Sequence, residues 1–394
     1  MKPYPEQVTM ANEVRAVLKQ YGLAYLAAEE RTGKTLAAIL VAESLNINTI
    51  QVITKKNALG GWNETLAAYE HMKDFRVTNY HQAKKCEPAD MLILDEAHNY
   101  ISGYPKRSAI WRDIKRISPN AIILYTSATP NAQGYQMLFN QFALSSYSPW
   151  RKYANFYKWF KDYGKPYSIE INQLDIAQYD RCKDDKVLED VKHLFVTKTR
   201  AELGFDYEPE DKLHYVELNQ ITKDVYNEII EHKVVELKAG WLVCDTGPKL
   251  RYALHMLEGG VAKIDDQYIV LANNEKIDYI LKHFGDHDGL VIMYNYKAEL
   301  LKLEGAFKKA RLLQATSFAE GVDLHKYSDL IIYSQDFSTA RHTQRRARQA
   351  NKKRDTPIIV HYLLVRKAIS SGVYKTVSIN KKNFVDSTFE RHKL

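Results

Sequence analysis

The chain has 394 residues, of which 45% are hydrophobic and 26% are charged, a composition typical of a globular protein with two or three domains. No apolar run approaches the roughly 20 residues that span a bilayer, and the first residues lack the apolar core of a signal peptide, so we expect a cytoplasmic protein. The formal net charge of +8 favours a polyanionic partner such as nucleic acid.

Short apolar runs alternate with segments of helical periodicity between residues 25 and 129. Such runs, separated by helices, are typical of a buried parallel sheet with crossover helices. The predicted strands are residues 23–27, 50–53, 91–94 and 121–125, and the helix that follows the first strand is predicted over residues 35–45.

The C-terminal part of the chain repeats this alternation. Between the two sets of apolar runs, residues from about 133 to 260 are mostly helical in pattern. An α/β fold with additional helices is therefore predicted for the whole chain. The strands predicted in the C-terminal part are residues 290–294, 330–333 and 358–362.

A charged segment interrupted by proline, residues 208–212, is the best candidate for a linker, and a strand-like run follows it at residues 214–218. We therefore predict two lobes that meet at this segment. The first lobe covers residues 1–208 and carries a helical extension after about residue 133. The second covers residues 209–394 and carries a helical insertion at about residues 222–260.

The first candidate site is the loop AEERTGKT at residues 28–35, which follows a predicted strand and opens a predicted helix. In this context the loop amides, including those of Thr32 and Gly33, would surround the phosphates of a nucleotide. Lys34 would contact the β- and γ-phosphates, and the Thr35 hydroxyl would bind Mg²⁺. Because Ala28 replaces the first glycine of the usual pattern, and because G-K-T is common by chance, the loop needs a second motif to support it.

That second motif is the apolar run at residues 92–94, which ends in Asp95 and Glu96. At the carboxyl edge of the same sheet, Asp95 would hold Mg²⁺ through water, and Glu96 would orient and deprotonate the attacking water. A solvated acidic strand end is the weaker interpretation, because a phosphate loop lies upstream. The two motifs together predict ATP hydrolysis with ATP and Mg²⁺ as the bound cofactors.

A third motif, TSATP at residues 126–130, follows the next predicted strand. Alone it is a polar turn. After the other two motifs, its hydroxyl groups on Ser127 and Thr129 are expected to sense the γ-phosphate and to couple it to the other lobe. His98, which completes the sequence D-E-A-H, is expected to take part in the same coupling.

In this order the three motifs closely resemble those of DEAH-type helicases of superfamily 2. The rest of the chain is similar to the Swi/Snf-type branch, particularly to its compact versions in phages. The resemblance covers nearly the whole chain and implies two RecA-like lobes in tandem. Outside the three motifs it is carried by residues 3–7 (entry motif), 52–62 (motif Ia), 77–80 (motif Ib), 195–200 and 217–226 (passage between lobes), 291–294 (motif IV), 315–324 (motif V) and 344–349 (motif VI).

The resemblance implies four further contacts with the nucleotide. Tyr4 and Gln7 belong to the entry motif, in which Gln7 would contact the edge of the adenine. Gly321 and Asp323 belong to motif V and are expected to contact the nucleotide from the second lobe.

Motif VI departs from the family pattern. The family presents two arginines, three residues apart, to the γ-phosphate, and Arg345 and Arg348 have this spacing on one helical face. The family's glutamine lies four residues before the first arginine, where this chain has Arg341. In the alternative alignment Gln344 takes the place of that glutamine, and the basic run 341–354 is also open to a purely electrostatic role on nucleic acid. We prefer Arg345 and Arg348 as the arginine fingers.

Nucleic-acid contacts are expected from motifs Ia, Ib, IV and V, because the strand runs across both lobes in the family that the chain resembles. Two further candidates lie on a loop after the D-E-A-H motif. A solvated surface charge is the competing interpretation for each lysine. The predicted contacts are Lys55, Lys56, Asn79, Tyr80, Lys106, Arg107, Tyr296, Lys297 and Thr316.

Aromatic and basic residues are interleaved between Pro149 and Tyr163, a pattern that suits stacking on unpaired bases. Phe156, Phe160 and Tyr163, however, fall at helical spacing, which favours packing against the first lobe.

Together with the resemblance, these features predict that ATP hydrolysis, coupled to closing and opening of the two lobes, moves a monomeric helicase or translocase along duplex, forked or branched DNA. No base-reading module is visible, so recognition is expected to depend on DNA backbone and shape. The family implies a role in phage DNA replication, recombination or repair. An RNA helicase with the same motor and a non-catalytic nucleic-acid binder are the alternatives.

Overall fold

The computed structural model describes residues 2–130, 134–171, 174–204, 209–315, 324, 327–346 and 357–380. The chain divides into two compact units, Met1–Gly204 and Phe205–Leu394. Each unit is built around its own parallel sheet. None of the helices in these ranges is long and apolar enough to cross a membrane.

The first unit contains a six-stranded parallel sheet in the order β3-β2-β4-β5-β1-β8, and β6 and β7 form a separate antiparallel hairpin. Side chains from alternate positions of the central strands enter two hydrophobic clusters, so the strands are apolar on both faces. The strands are β1 (Leu23–Ala28), β2 (Thr49–Thr54), β3 (Asp74–Asn79), β4 (Met91–Asp95), β5 (Ile122–Ser127), β6 (Tyr167–Ile171), β7 (Leu174–Gln178) and β8 (Phe195–Lys198).

Helices cover this sheet, and local signals set their ends. The first helix has Pro5 at its start and ends at Gly22, whose positive φ of 65° favours glycine. The fourth is capped by Ser108, whose hydroxyl accepts the amide of Trp111. The helices are α1 (Pro5–Tyr21), α2 (Lys34–Glu43), α3 (Leu59–Ala68), α4 (Ala109–Ile117), α5 (Met137–Phe142), α6 (Phe156–Tyr163) and α7 (Asp184–Val191).

Most of the aromatic residues between Pro149 and Tyr163 pack into the core of the first unit, whereas Tyr157 is exposed. Trp150, Phe156, Trp159, Phe160 and Tyr163 are all buried in one cluster with residues of the sheet. The indole of Trp159 stacks on the ring of Tyr163 at 5.0 Å between centroids. The packing interpretation is therefore confirmed for these residues, and they are not available to stack on bases.

The second unit contains a five-stranded parallel sheet in the order β15-β14-β16-β17-β9, together with two antiparallel hairpins, β10-β11 and β12-β13. Its strands are β9 (Pro209–Val216), β10 (Val234–Leu237), β11 (Gly240–Val243), β12 (Val261–Ile264), β13 (Gln267–Val270), β14 (Leu290–Tyr294), β15 (Arg311–Gln314), β16 (Asp329–Ile332) and β17 (Ile358–Val365). Its helices are α8 (Gln220–His232), α9 (Gly247–Glu258), α10 (Glu275–His283), α11 (Lys297–Ala306), α12 (Thr339–Arg346) and α13 (Ile369–Tyr374).

The predicted fold class is confirmed at the level of architecture: this is an α/β protein with two parallel-sheet lobes in tandem and added helices. Every predicted apolar strand is present. The predicted linker is wrong, because residues from Pro209 onward form β9. A proline is tolerated there because it is the first residue of an edge strand, where its missing N–H costs no ladder hydrogen bond.

The region from about 133 to 260 was expected to be mostly helical, and its described residues contain two hairpins as well, β6-β7 and β10-β11. The hairpin strands are four or five residues long and largely exposed. Strands of this kind carry little apolar alternation, so the periodicity of the sequence does not distinguish them from the ends of helices.

Two histidines, the buried His361 and the half-buried His214, form a pair in the second sheet. His214 Nε2 lies 2.9 Å from His361 Nδ1, so one ring donates a hydrogen bond to the other. The other ring nitrogen of His214 contacts the hydroxyl of Tyr279 at 3.0 Å. Burial lowers the pKa of His361 to about 4 and also lowers the pKa of His214. Both imidazoles are therefore neutral at pH 7.

We expect acid to destabilise the second unit through this pair. An unfolded histidine titrates near about 6.5, so between that pH and about 4 the unfolded chain binds more protons, and stability falls as the pH falls. His361→Gln should remove on the order of 2 kcal/mol of the stability lost between pH 7 and pH 4.5 in urea unfolding. His232→Gln, which changes an exposed histidine of the same unit, is the control. Equal pH dependence in both variants would contradict the role of the pair.

Candidate functional site

The loop at residues 28–35 connects β1 to α2, as a phosphate-binding loop requires. Gly33 is the N-cap of α2, has a φ of 82° and makes no side-chain cap. A Cβ atom there would lie 2.0 Å from Nε2 of Gln7, so both the backbone conformation and the space favour glycine. The first turn of α2 thus presents its amides without a capping side chain, which suits a phosphate group.

Lys34 reaches back across this loop. Its ammonium group donates to the carbonyl oxygens of Ala28 at 2.7 Å and Glu29 at 2.8 Å. The hydroxyl of Thr32 also donates to the carbonyl of Glu29, at 2.7 Å. Thr35 follows as the second residue of α2. The loop is therefore folded around the lysine that was predicted to contact phosphate.

Asp95, the last residue of β4, is held by three donors from other elements. The hydroxyl of Thr54 at the end of β2 donates to Oδ2 at 2.7 Å, and the indole N–H of Trp62 in α3 donates to the same oxygen at 3.1 Å. The hydroxyl of Thr126 in β5 donates to Oδ1 at 2.8 Å. These contacts fix the orientation of the carboxylate, as the outer contacts of a metal ligand do.

Glu96 follows directly, in a left-handed conformation with a φ of 53°. Its side chain is only 15% exposed, and its Oε2 accepts a hydrogen bond from the Ser127 hydroxyl at 3.1 Å. Burial raises the pKa of Glu96 to about 7, while the charge of Lys55 opposes this shift. A carboxyl group with a pKa near the working pH is suited to accept and release a proton.

Ser127 connects Glu96 to His98 and Thr129. Its Oγ lies 3.1 Å from His98 Nδ1 and accepts the backbone amide of Thr129 at 3.0 Å. Burial lowers the pKa of His98 to about 3, so the imidazole is neutral at pH 7. Because the Ser127 hydroxyl donates to Glu96, the remaining contact requires His98 Nδ1 to be the donor. The three residues predicted to couple the lobes therefore form one network with Glu96.

Tyr4 and Gln7 lie at the start of α1, beside the phosphate loop. The side-chain oxygen of Gln7 accepts the backbone amide of Tyr4 at 2.9 Å, and the Gln7 amide nitrogen faces Gly33. Tyr4 is largely exposed. This position is compatible with the predicted adenine contact, which stays a prediction.

Two of the predicted nucleic-acid contacts are wrong, because their side chains are buried. Tyr80 is 1% exposed, donates its hydroxyl to the carbonyl of Asp95 at 2.9 Å and stacks on Tyr100. Tyr296 is 8% exposed, and its hydroxyl lies 2.8 Å from Nδ1 of His255. Each tyrosine stabilises the core of its own unit.

The other predicted contacts differ in the exposure of their side chains and in the contacts that these side chains already make. Lys56, Lys106 and Lys297 are exposed, which suits a contact with phosphate. Asn79 is half-buried and caps the turn that follows β3. Arg107 is half-buried over the ring of Trp111, and its Nε donates to Asn140. Arg107 is thus already held by structural contacts.

Lys55 lies close to Glu96 and His98 in the first unit. Its charge lowers the pKa of both Glu96 and His98, which requires the ammonium group to be near them. The sequence had suggested only a contact with the nucleic-acid backbone.

Arg345 does not fit the predicted role of an arginine finger. It is 2% exposed, and its Nη2 lies 3.1 Å from Asp336 Oδ2 inside the second unit. Burial lowers its pKa to about 10, so it remains charged at pH 7. A finger has to be exposed to reach a phosphate, whereas the exposed partner of Asp336 is Arg341. Arg348, Gly321, Asp323 and Thr316 lie outside the described residues, and their roles stay predictions.

The chain was compared with protein families, curated proteins and solved structures, and only solved structures gave a similarity. No family model and no curated protein matches the sequence. Among solved structures, the chain is similar to the Sulfolobus solfataricus SWI2/SNF2 ATPase core domain, with 14% sequence identity and a TM-score of 0.41, over 97% of this chain and 90% of that chain. A likeness this distant carries no functional argument, so the assignment rests on the site itself.

The contact between Trp62 and Asp95 yields a prediction. Trp62→Phe keeps the buried ring but removes the indole donor, so Asp95 loses one of the contacts that orient it. We expect the Mg²⁺ concentration needed for half-maximal nucleotide binding to rise about tenfold. Trp241→Phe, at an exposed tryptophan of the second unit, is the matched control. The same Mg²⁺ requirement in both variants would show that the indole does not support the metal ligand.

Proposed function

We propose that this protein is an ATP-driven nucleic-acid motor, a helicase or translocase that acts on DNA. The observation that carries the proposal is the arrangement at the carboxyl edge of the first sheet. There the phosphate loop after β1 and the acidic pair at the end of β4 belong to one parallel sheet, in which only β5 separates the two strands. In sheets of this type, ligands bind beyond the carboxyl ends of the strands.

Different side chains of the site are proposed to bind the cation, to neutralise phosphate charge and to accept a proton. Bound MgATP supplies the γ-phosphate and the cation that polarises it. Asp95 and the Thr35 hydroxyl are the groups suited to hold that cation, since hard oxygen ligands are preferred. Lys34 neutralises phosphate charge, for which it must leave the two loop carbonyls that it contacts here. Glu96 accepts the proton of the attacking water, and Ser127 keeps its carboxylate oriented.

DNA is proposed as the partner from the charge of the chain and from the sequence resemblance. The net charge of +8 and the exposed Lys56, Lys106 and Lys297 suit a polyanion. The sequence resemblance favours duplex or branched DNA and a role in phage DNA replication, recombination or repair. ATPase rates with single-stranded, duplex, forked and four-way-junction DNA, and with RNA of matched length, test this choice. Stronger stimulation by RNA would make the protein an RNA helicase.

Two substitutions separate nucleotide binding from chemistry. Glu96→Gln keeps the shape of the side chain but cannot accept a proton, so turnover should fall about 10²-fold or more while ATP affinity survives. Lys34→Ala should abolish turnover because it removes the ammonium group that is proposed to neutralise charge on the β- and γ-phosphates. Lys73→Ala, at a lysine that holds loop carbonyls away from the site, controls for general damage. Full turnover in Lys34→Ala would refute the assignment of the loop, and high turnover in Glu96→Gln with lost ATP affinity would reverse the proposed roles.

DNA binding should depend strongly on salt and little on sequence, because phosphates provide most of the contacts. With about 4 to 8 phosphates neutralised, log K should fall with log salt at a slope of about −4 to −7 on duplex DNA. Fluorescence anisotropy with two unrelated duplexes of equal length measures both properties. A slope near zero, or a clear preference for one duplex, would indicate a different mode of recognition.

A further inference from the structure

The phosphate loop carries two acidic residues, Glu29 and Glu30, four to five positions before Lys34. Carboxylates at this place repel the phosphates that the loop is proposed to bind. The Coulombic effect of Glu30 on Glu96 raises the pKa of that residue, which indicates that the Glu30 carboxylate is near the centre of the site. A phosphate site with two such groups needs a cation that neutralises them.

Arg200 is placed to do this. It lies two residues after the end of β8, is 5% exposed and faces both loop carboxylates. Its backbone amide donates to Oε2 of Glu29 at 2.7 Å, its Nε lies 3.9 Å from the same oxygen, and its Nη1 lies 3.6 Å from Oε2 of Glu30. The Glu30 side chain is 13% exposed, so the charges interact in a partly desolvated place, where attraction is stronger than in water.

The backbone beside Arg200 holds the loop as well. β8 pairs with β1 in parallel, with Lys198 opposite Ala28, and the amide of Glu29 donates to the carbonyl of Lys198 at 3.0 Å. Residues 198–200 therefore lie alongside the first residues of the phosphate loop, Ala28 and Glu29. Across the described residues, no hydrogen bond is found for the buried Oε1 of Glu30, whereas its Oε2 forms the ion pair with Nη1 of Arg200.

The loop needs such support because of its own sequence. Gly33 is its only glycine, and Arg31 adopts a left-handed conformation with a φ of 67°. A non-glycine residue in this region is held there at a conformational cost. The internal contacts of Lys34 and Thr32 and the contacts made by residues 198–200 together hold the loop in this shape.

We propose that Arg200 is a positioning residue of the phosphate loop: it neutralises Glu29 and Glu30 and fixes the loop in the shape that receives the triphosphate. This inference rests on the proposed function of the loop as an ATP site. Arg200 acts through the two glutamates and is not itself a catalytic residue.

Two measurements on the intact chain test it. The first is amide hydrogen exchange at residues 29–33 without nucleotide, and the second is the affinity for a fluorescent, non-hydrolysable ATP analogue. Arg200→Ala should speed the exchange and weaken the affinity about tenfold or more, because two carboxylates lose their cation. Glu30→Gln added to Arg200→Ala should recover part of the affinity, because one of the repelling charges is removed. Arg76→Ala, which breaks an exposed ion pair with Asp74 in the same unit, should change neither quantity.

The outcomes distinguish this inference from the proposed function. If Arg200→Ala matches Arg76→Ala in both measurements while the wild-type chain binds the analogue, the role of Arg200 is refuted and the ATP site stands. If the wild-type chain does not bind the analogue, the proposed function fails, and hydrogen exchange alone decides whether Arg200 holds the loop. Should Arg200→Ala not fold, Arg200→Gln takes its place, because it removes the charge and keeps most of the side chain: weaker affinity at an unchanged Tm supports the proposal, and wild-type exchange and affinity overturn it.

Discussion

The orientation of the Asp95 carboxylate is the constraint on which the site depends. Thr54, Trp62 and Thr126 each donate a hydrogen bond to it from a different element. Thr54 and Thr126 reach Asp95 because β2, β4 and β5 are parallel neighbours and end at the same edge of the sheet. Trp62 reaches it from α3, the helix that follows β2. Glu96 follows in a left-handed conformation, and its largely buried carboxylate accepts a hydrogen bond from Ser127. The carboxylates that we propose as metal ligand and proton acceptor thus share one rigid support.

The site also shows how burial and charge tune neighbouring groups differently. Burial raises the pKa of Glu96 and lowers that of His98, which leaves a proton acceptor and a neutral imidazole joined through Ser127. On the other side of the site, the ion pairs of Arg200 with Glu29 and Glu30 compensate the acidic character of the loop. The acid–base function and the phosphate-binding function are therefore supported by separate sets of contacts in one unit.

Much of the first sheet was predictable because its strands are local apolar runs that end in polar motifs. The contacts of Asp95 were not, since Thr54 and Trp62 lie 41 and 33 positions away and nothing in their own neighbourhood marks them as donors. Tyr80 and Tyr296 were predicted to bind nucleic acid, but a tyrosine suits a core equally well when its hydroxyl finds a partner. Arg345 has the spacing of a finger, yet spacing does not reveal that Asp336, nine residues earlier, holds it inside.

The dependence of kcat/KM for MgATP on pH, at saturating DNA, tests the central claim that Glu96 accepts a proton during hydrolysis. This ratio reports the ionisation of the free enzyme, in which Glu96 has a pKa of about 7. A base must be unprotonated to act, so kcat/KM should level off above that pH and fall roughly tenfold per pH unit well below it. A flat profile between pH 6 and pH 8, or the same inflection in Glu96→Gln, would contradict the account.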